Sequence, residues 1–93
     1  MIQSFRCKHT RSLFEGGVPP RFRTFKDSAI RKLTQLDAAQ TLEFLRSPPG
    51  NQLEALKVDS KRQYSIRINS QFRVCFIWTN NGSVDVEIVD YPS

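Results

Sequence analysis

Apolar residues between positions 24 and 36 recur at intervals of three and four, the period that gives a helix one apolar face. The residues that set this period are Phe25, Ala29, Ile30, Leu33 and Leu36. The pattern predicts a helix from Thr24 onward, with Thr24 or Asp27 as its cap. Ahead of it, HTRSLFEGG predicts a brief helical turn that stops at Gly16 and Gly17, and VPPRFR is expected to form a loop.

A second helix is predicted next, because Asp37 followed by Gln40 has the spacing of a capping box. Its apolar face continues through Ala38, Leu42 and Leu45. The sequence SPPGN should end this helix, since Pro48 biases Ser47 away from helical angles and Gly50 permits a sharp reversal. The two helices are therefore expected to form a helical hairpin.

From Asn51 onward the period drops to two, which is typical of strands. Four strands are predicted from QLEAL, QYSIRI, FRVCFIW and VDVEIV, with TNNGS as a hairpin turn between the last two. IQSFR, at residues 2–6, predicts one more short strand. The predicted fold class is α+β, with an antiparallel-rich sheet and the helical hairpin packed on one face. No repeat or linker interrupts the chain, so we expect a single domain over residues 1–93.

Side chains alternate between the two faces of a strand, so odd- and even-numbered residues lie on opposite faces, a rule that we call strand parity. This rule places two arginines opposite each other. The apolar residues that must reach one core are Tyr64, Ile66 and Ile68 in QYSIRI, and Phe72, Val74, Phe76 and Trp78 in FRVCFIW. Only a loop with an odd number of residues keeps both sets on one face, and a loop of residues 69–71 does so. It pairs Ile68 with Phe72, Ile66 with Val74, and Tyr64 with Phe76. Arg67 then faces Arg73 directly.

The same rule applied to TNNGS, with residues 80–82 as the loop, predicts a second set of pairs. They are Trp78 with Val84, Phe76 with Val86, and Val74 with Ile88. Tyr91 then falls on the face of the arginines, diagonal to Arg73. That polar face carries Ser65, Arg67, Gln71, Arg73, Glu87 and Tyr91, while the helices are expected to cover the apolar one.

Opposed like charges cost roughly 0.2–1 kcal/mol in an exposed sheet. Two explanations of the arginine pair stay open at this stage. Either the long side chains splay apart or Glu87 neutralises one of them, or the pair awaits an anion such as phosphate, which suits two planar guanidinium groups. Lys57, Lys61 and Arg62 add positive charge before the QYSIRI strand, although a solvated loop explains that run equally well.

Composition adds few constraints. The net charge of +5 favours phosphate-rich or acidic partners without identifying one. Two cysteines, Cys7 and Cys75, and one histidine, His9, have no metal-ligand spacing, so we expect no metal and no other cofactor. No signal peptide or long apolar run occurs, which predicts a cytoplasmic protein with free thiols and no membrane association.

The string SIRINSQFRVCF resembles the signature of the HigB toxins, members of the RelE/ParE superfamily of bacterial toxin–antitoxin modules. Further agreement comes from MIQSF, from LRSPPGNQLEAL with Lys57 after it, from the strand that contains Trp78, and from VEIVDY. The resemblance covers nearly the whole chain and implies a compact RelE-like fold. It also implies ribosome-dependent cleavage of mRNA, held in check by a HigA-like helix-turn-helix antitoxin.

The resemblance further implies roles for individual residues. Catalytic roles fall on Lys57, Arg67, Arg73 and Tyr91, and RNA binding on Lys57, Lys61, Arg62, Arg67, Gln71 and Arg73. One departure stands out, because many HigB chains continue Asp-Tyr-His where this one has Pro92. The terminal histidine expected to transfer a proton is therefore absent, and His9 is a possible substitute.

Two other functions stay open. A toxin that has lost this histidine could dock on ribosomes or RNA without efficient cleavage. The ParE branch of the superfamily suggests instead an inhibitor of DNA gyrase. The expected partners are the ribosome, mRNA and the antitoxin, with a hetero-oligomer formed with the antitoxin and a monomeric free toxin.

Overall fold

The computed structural model describes residues 1–56 and 62–90 and has the predicted α+β architecture. Its helices are α1 (Lys8–Phe14), α2 (Lys26–Ala38) and α3 (Leu42–Arg46), and its strands are β1 (Glu54–Ala55), β2 (Gln63–Arg67), β3 (Phe72–Thr79) and β4 (Gly82–Asp90). Short 3₁₀ helices at Pro20–Phe25 and Pro49–Asn51 complete the described elements. In this part of the chain no helix is long and apolar enough to span a membrane. That residues 1–93 form one domain stays a prediction.

The four strands form an antiparallel sheet in chain order, β1-β2-β3-β4. The predicted register of the first hairpin is confirmed, with Ile66 opposite Val74 and Tyr64 opposite Phe76. One face of the sheet is therefore apolar along both strands, because side chains alternate between faces. We call the opposite face the open face. It carries the odd-numbered residues of β2 and β3.

The core lies between the apolar face of the sheet and the helices. The sheet contributes Ile66, Ile68, Val74, Phe76, Trp78, Val86 and Ile88, all buried. α2 contributes Ala29, Leu33 and Leu36, and α1 contributes Leu13. Each fully buried aliphatic side chain stabilises the fold by about 1.5–3 kcal/mol. This core fixes which face of the sheet the helices cover.

The helix starts differ from the sequence predictions. α2 begins at Lys26 without a side-chain cap, so neither Thr24 nor Asp27 caps it. Asp37 lies inside α2, and Thr41 caps α3, its Oγ1 accepting a hydrogen bond from the Phe44 backbone N–H at 3.3 Å. The capping-box prediction was wrong because α2 continues through Asp37 to Ala38. As a result, α3 is only five residues long, and Ala38 is exposed while Ala39 is buried.

Asp37 instead fixes the N-terminal segment. Its Oδ1 accepts a hydrogen bond from the Ile2 backbone N–H at 2.9 Å. The predicted strand at residues 2–6 is reduced to two isolated parallel bridges to β4, Ile2 with Ser83 and Phe5 with Val86. These bridges cover part of the outer edge of β4, which would otherwise offer unpaired backbone groups to other chains.

The β3–β4 hairpin departs from the predicted register. Its loop has two residues, Asn80 and Asn81, so Trp78 pairs with Ser83 and not with Val84. A β-bulge in β4, where Asp85 has a positive φ of 53°, then inserts one extra residue. The pairing of Val74 with Ile88 is recovered as predicted, because the shorter loop and the bulge offset each other.

Gly82, at the start of β4, allows the N-terminus to approach closely. Its φ of +130° is in a region reserved for glycine, and an added Cβ would overlap the Met1 carbonyl oxygen. Gly82→Ala is expected to lower the free energy of unfolding by about 1–3 kcal/mol, measured by urea denaturation. Gly50→Ala is the matched control, since its Cβ would meet nothing within 4 Å, and should change that free energy by less than about 0.5 kcal/mol. Equal effects would contradict this account.

Candidate anion-binding site

A groove of about 190 Å³ opens at the end of the β2–β3 hairpin. Its lining residues are Gln52, Glu54, Arg67, Asn69, Ser70, Gln71 and Arg73. Two of them are the arginines that parity predicted to face each other, and the direct pairing of Arg67 with Arg73 is confirmed. The open face therefore concentrates positive charge in a concave site.

The turn between β2 and β3 fixes the spacing of the two arginines. Asn69 Oδ1 accepts hydrogen bonds from the backbone N–H groups of Gln71 and Phe72, both at 2.8 Å. An asparagine side chain that bonds its own following backbone in this way holds a tight turn. The Ile68 N–H donates to the Phe72 carbonyl at 2.9 Å and closes the ladder. The arginines are thus carried by a rigid hairpin rather than by a mobile loop.

Arg73 is buried, with 6% of its surface exposed. Its Nε donates to Ser65 Oγ at 2.8 Å, and its Nη2 donates to the backbone carbonyl of Ser65 at 3.2 Å and to that of Gln52. A guanidinium is planar and presents its donors in a fixed geometry, so three acceptors determine its orientation. Ser65 was predicted to lie on this face, but its hydrogen bonds with Arg73 were not predicted.

Gln52 contributes through its backbone, which sequence reasoning missed. The residue has left-handed angles, φ 43° and ψ 58°. A non-glycine residue in this region costs of order 1–3 kcal/mol unless its surroundings hold it there. The hydrogen bond from Arg73 to the Gln52 carbonyl is such a constraint. Pro48, Pro49 and Gly50 in the preceding segment signalled a turn at this point, but not the conformation of Gln52.

Glu54 is the acidic residue of the groove. Its Oε1 lies 4.0 Å from Arg73 Nη2, and half of its side chain is exposed. Glu87, one of the explanations left open from the sequence as the neutralising carboxylate, is instead paired with Arg6 at 3.9 Å. Glu54 could have been found by parity, because it pairs with Ser65 across β1 and β2 and so shares the face of the arginines.

Arg67 is partly exposed. Within the described ranges, no carboxylate lies within ion-pair distance of it. Burial lowers the pKa of Lys32 on α2, and the nearby charges of Arg31 and Arg67 lower it further. Lys32 Nζ donates a hydrogen bond to the buried Asn51 side chain, next to Gln52. The positive potential at Arg67 therefore extends towards α2.

Other predicted site residues fall in different places. Gln71 is exposed at the rim of the groove, and its Nε2 donates to Asp90 Oδ2 at 3.0 Å. Arg62 is exposed ahead of β2 and does not line the groove. His9 lies in α1, which packs against α2 and β4, and is also not among the lining residues. The predictions for Lys57, Lys61, Tyr91 and Pro92 concern residues outside the described ranges.

Cys75 also points to the open face, opposite Ser65 and Glu87. Burial raises the pKa of its thiol to about 11, and the negative charge of Glu87 contributes in the same direction. At neutral pH the side chain is therefore a neutral thiol and a poor nucleophile or metal ligand. Among residues 1–56 and 62–90, no three histidine, cysteine or acidic side chains are grouped to hold a metal ion.

Comparisons with known proteins show which family the chain belongs to. A family model described as the RelE-like toxin HigB of type II toxin–antitoxin systems matches residues 3–91. The toxin HigB-1 of Vibrio cholerae is 44% identical over 82 residues, covering 86% of both chains. An uncharacterized protein of Haemophilus influenzae is 43% identical over 51 residues, covering 55% of this chain and 50% of that protein. The chain belongs to the HigB-like family of RelE-like toxins from type II toxin–antitoxin systems.

Proposed function

We propose that this toxin is an endoribonuclease that cleaves mRNA on the ribosome and thereby inhibits translation. The observation that carries the proposal is the direct opposition of Arg67 and Arg73 in a groove on the open face. Two guanidinium groups on a rigid hairpin suit the charge and shape of a phosphate. Membership of a toxin family supports the assignment of that phosphate to RNA.

The two arginines are expected to bind a phosphodiester in different ways. Arg73 is fixed by Ser65 and Gln52 and supplies a charge of constant position. Arg67 is partly exposed and can adjust its guanidinium to the phosphate. In cleavage at a 2′-hydroxyl, negative charge accumulates on the phosphorus oxygens in the transition state. Preorganised cations next to those oxygens stabilise it, and removing one such donor costs on the order of 10²–10³ in rate.

Proton transfer is assigned to Tyr91, and Lys57 is the fourth member of the proposed catalytic set. A tyrosine has an ordinary pKa of about 10, so it is naturally a proton donor at neutral pH. To act as a base it would need neighbouring cations that favour the phenolate, and Lys57 and the arginines are candidates. Pro92 has no side-chain base and cannot replace the histidine of relatives that end in Asp-Tyr-His. Cleavage of mRNA by this protein should therefore depend more heavily on Tyr91 than it does in those relatives.

The proposed partners follow from the charge and from the family. A type II toxin has an antitoxin partner, and we propose a HigA-like helix-turn-helix protein that forms a hetero-oligomer with an otherwise monomeric toxin. The net charge of +5 favours an acidic contact surface and accelerates association with RNA. The proposed RNA-binding set consists of the two arginines together with Lys57, Lys61, Arg62 and Gln71.

A second candidate function is docking on the ribosome or RNA without efficient cleavage. Pro92 favours this candidate, because a missing proton-transfer group costs about 10²–10⁴ in rate. Analysis of mRNA products on translating ribosomes separates the two functions. The gyrase-inhibitor alternative is the weaker one, since the arginine pair is better suited to a phosphodiester substrate. A DNA supercoiling assay tests it directly.

Arg67→Ala is expected to slow single-turnover cleavage of mRNA on programmed ribosomes by about 10²–10³, because it removes the adjustable phosphate ligand. Arg46→Ala is the matched control. It removes the same charge from an exposed position on α3, where Arg46 contacts Glu43 at 3.4 Å, and should leave the rate nearly unchanged. Equal rates for the wild type and Arg67→Ala would contradict the proposed site.

Arg73→Lys is expected to lower the free energy of unfolding by about 2–4 kcal/mol. The single nitrogen of a lysine cannot occupy the positions of both Nε and Nη2, so the three hydrogen bonds to Ser65 and Gln52 cannot all be kept. Arg67→Lys is the control on the same face and should change stability by less than about 0.5 kcal/mol. Urea denaturation of both variants measures the difference. Equal stability of the two variants would show that Arg73 does not hold the sheet and the turn together.

Cleavage by the wild type is expected to be detectable but slow, to fall sharply in Tyr91→Phe, and to rise in Pro92→His. The reason is that a positioned acid or base is worth about 10²–10⁴ in rate, and Pro92 supplies neither. Single-turnover cleavage on programmed ribosomes by the three proteins measures this. Fast wild-type cleavage that survives Tyr91→Phe would rule out the proton-transfer role of Tyr91.

A further inference from the structure

Three basic side chains lie together where α2 meets the end of β2. Arg31 and Lys32 are neighbours on α2, and Arg67 is the last residue of β2. Burial lowers the pKa of Lys32, and the charges of Arg31 and Arg67 lower it further, so the three groups are within electrostatic reach of one another. We call these three residues the basic cluster. Arg67 is its one member that also lines the groove.

A buried amide fixes Lys32 in the basic cluster. Lys32 Nζ donates a hydrogen bond to Asn51 Oδ1. The side-chain nitrogen of the buried Asn51 in turn donates to Gln35 Oε1 on α2 and to the Leu45 carbonyl, both at 3.0 Å. The 3₁₀ helix that ends at Asn51 packs against β2, the strand of Arg67. An ammonium has three donors, so Lys32 can donate to a ligand while its bond to Asn51 holds it in place.

The periodicity of α2 keeps its two basic residues out of the core. Ala29, Leu33 and Leu36 form the buried face of this helix. Because a helix turns by about 100° per residue, Lys32 lies at the edge of that face and Arg31 on the solvent side. Their exposure agrees, since Lys32 is partly exposed and Arg31 is exposed. Both side chains are therefore accessible to a ligand.

No carboxylate neutralises the basic cluster. In residues 1–56 and 62–90, none lies within ion-pair distance of its three members. Asp27, one helical turn before Arg31, has the spacing of a helix ion pair but does not form one. Like charges held together without a counter-charge repel one another, and a bound anion relieves that repulsion. The basic cluster is thus suited to bind an anion outside the groove.

We propose that the basic cluster is a second phosphate site, in which Arg31 and Lys32 bind the phosphate adjacent, along an RNA strand, to the one held between Arg67 and Arg73. RNA carries one phosphate per nucleotide, and Arg67 lies between the two sites. The inference rests on the proposed function in taking RNA as the ligand, but it concerns binding and not cleavage. It also predicts the path of the strand, which leaves the groove towards α2.

The test is the salt dependence of binding of a single-stranded hexaribonucleotide, followed by fluorescence anisotropy. Its riboses are 2′-O-methylated, so that cleavage at a 2′-hydroxyl cannot occur. For single strands, each neutralised phosphate contributes about 0.7 to the slope of the logarithm of affinity against that of salt concentration. The double variant Arg31→Gln, Lys32→Gln should lose about 0.7 of that slope and bind about three- to tenfold more weakly at low salt.

The matched control is the double variant Lys8→Gln, Arg11→Gln. It removes the same two charges from exposed positions on α1, which packs against α2 and β4 and contributes no lining residue to the groove. Its salt slope should remain that of the wild type. Arg31→Gln alone keeps the hydrogen bond from Lys32 to Asn51. It should show a smaller loss in the same direction, so the test also stands where the α2 double variant does not fold.

Three results would overturn the proposal. Equal salt slopes for the wild type and the α2 double variant would leave the basic cluster to an acidic protein surface. Equal losses in the α2 and α1 double variants would show that binding follows net charge alone, and the third result is no measurable binding by the wild type. Cleavage on ribosomes is measured separately. The expected slopes in a protein that does not cleave mRNA would contradict the proposed function and leave the second phosphate site intact.

Discussion

The hydrogen bonds of the Arg73 guanidinium connect the parts of the molecule that form the groove. They join β3 to Ser65 of β2 and to Gln52, in the turn that leads into β1. Burying a guanidinium costs free energy unless its donors are paired, and here backbone and hydroxyl oxygens pair them. The same bonds hold Gln52 in a left-handed conformation and so set the position of Glu54, two residues later. One buried cation thus orders one whole side of the site.

This arrangement explains how the sheet tolerates two opposed arginines. Like charges in direct register destabilise a strand pair by roughly 0.2–1 kcal/mol when both are exposed. Here the charges are not equivalent, because Arg73 is buried in a set of acceptors with Glu54 near it, while Arg67 extends towards solvent. The positive charge of Arg67 also acts on Lys32 of α2, whose pKa it lowers in addition to the effect of burial.

The sheet could be predicted from the sequence because its core-facing residues alternate without interruption from Tyr64 to Trp78. Parity then fixed the register of β2 and β3, including the arginine pair. The β3–β4 register was wrong at Trp78 and correct at Val74, because a two-residue loop and a bulge changed the count in opposite senses. Strand parity depends only on whether the number of residues between two paired positions is odd or even. It therefore cannot reveal a loop that is one residue shorter together with a bulge that adds one residue. The capping-box prediction failed because it considered only neighbouring residues. Asp37 Oδ1 accepts its hydrogen bond from the Ile2 N–H, which is distant in sequence.

The burial of Arg73 had no counterpart in the sequence pattern, because it depends on a backbone carbonyl 21 residues away. An arginine on the polar face of a strand pair is ordinarily expected to extend into solvent. The left-handed turn at Gln52 brings that carbonyl to the Arg73 guanidinium, and both residues line the groove on the open face. The two arginines of this cross-strand pair therefore differ in their surroundings, because Arg73 is buried and held by oxygen acceptors while Arg67 is partly exposed. If the proposed function holds, a loss of activity on changing Arg73 would combine a loss of charge with a loss of the groove's geometry, whereas a change at the partly exposed Arg67 would act chiefly through the lost charge.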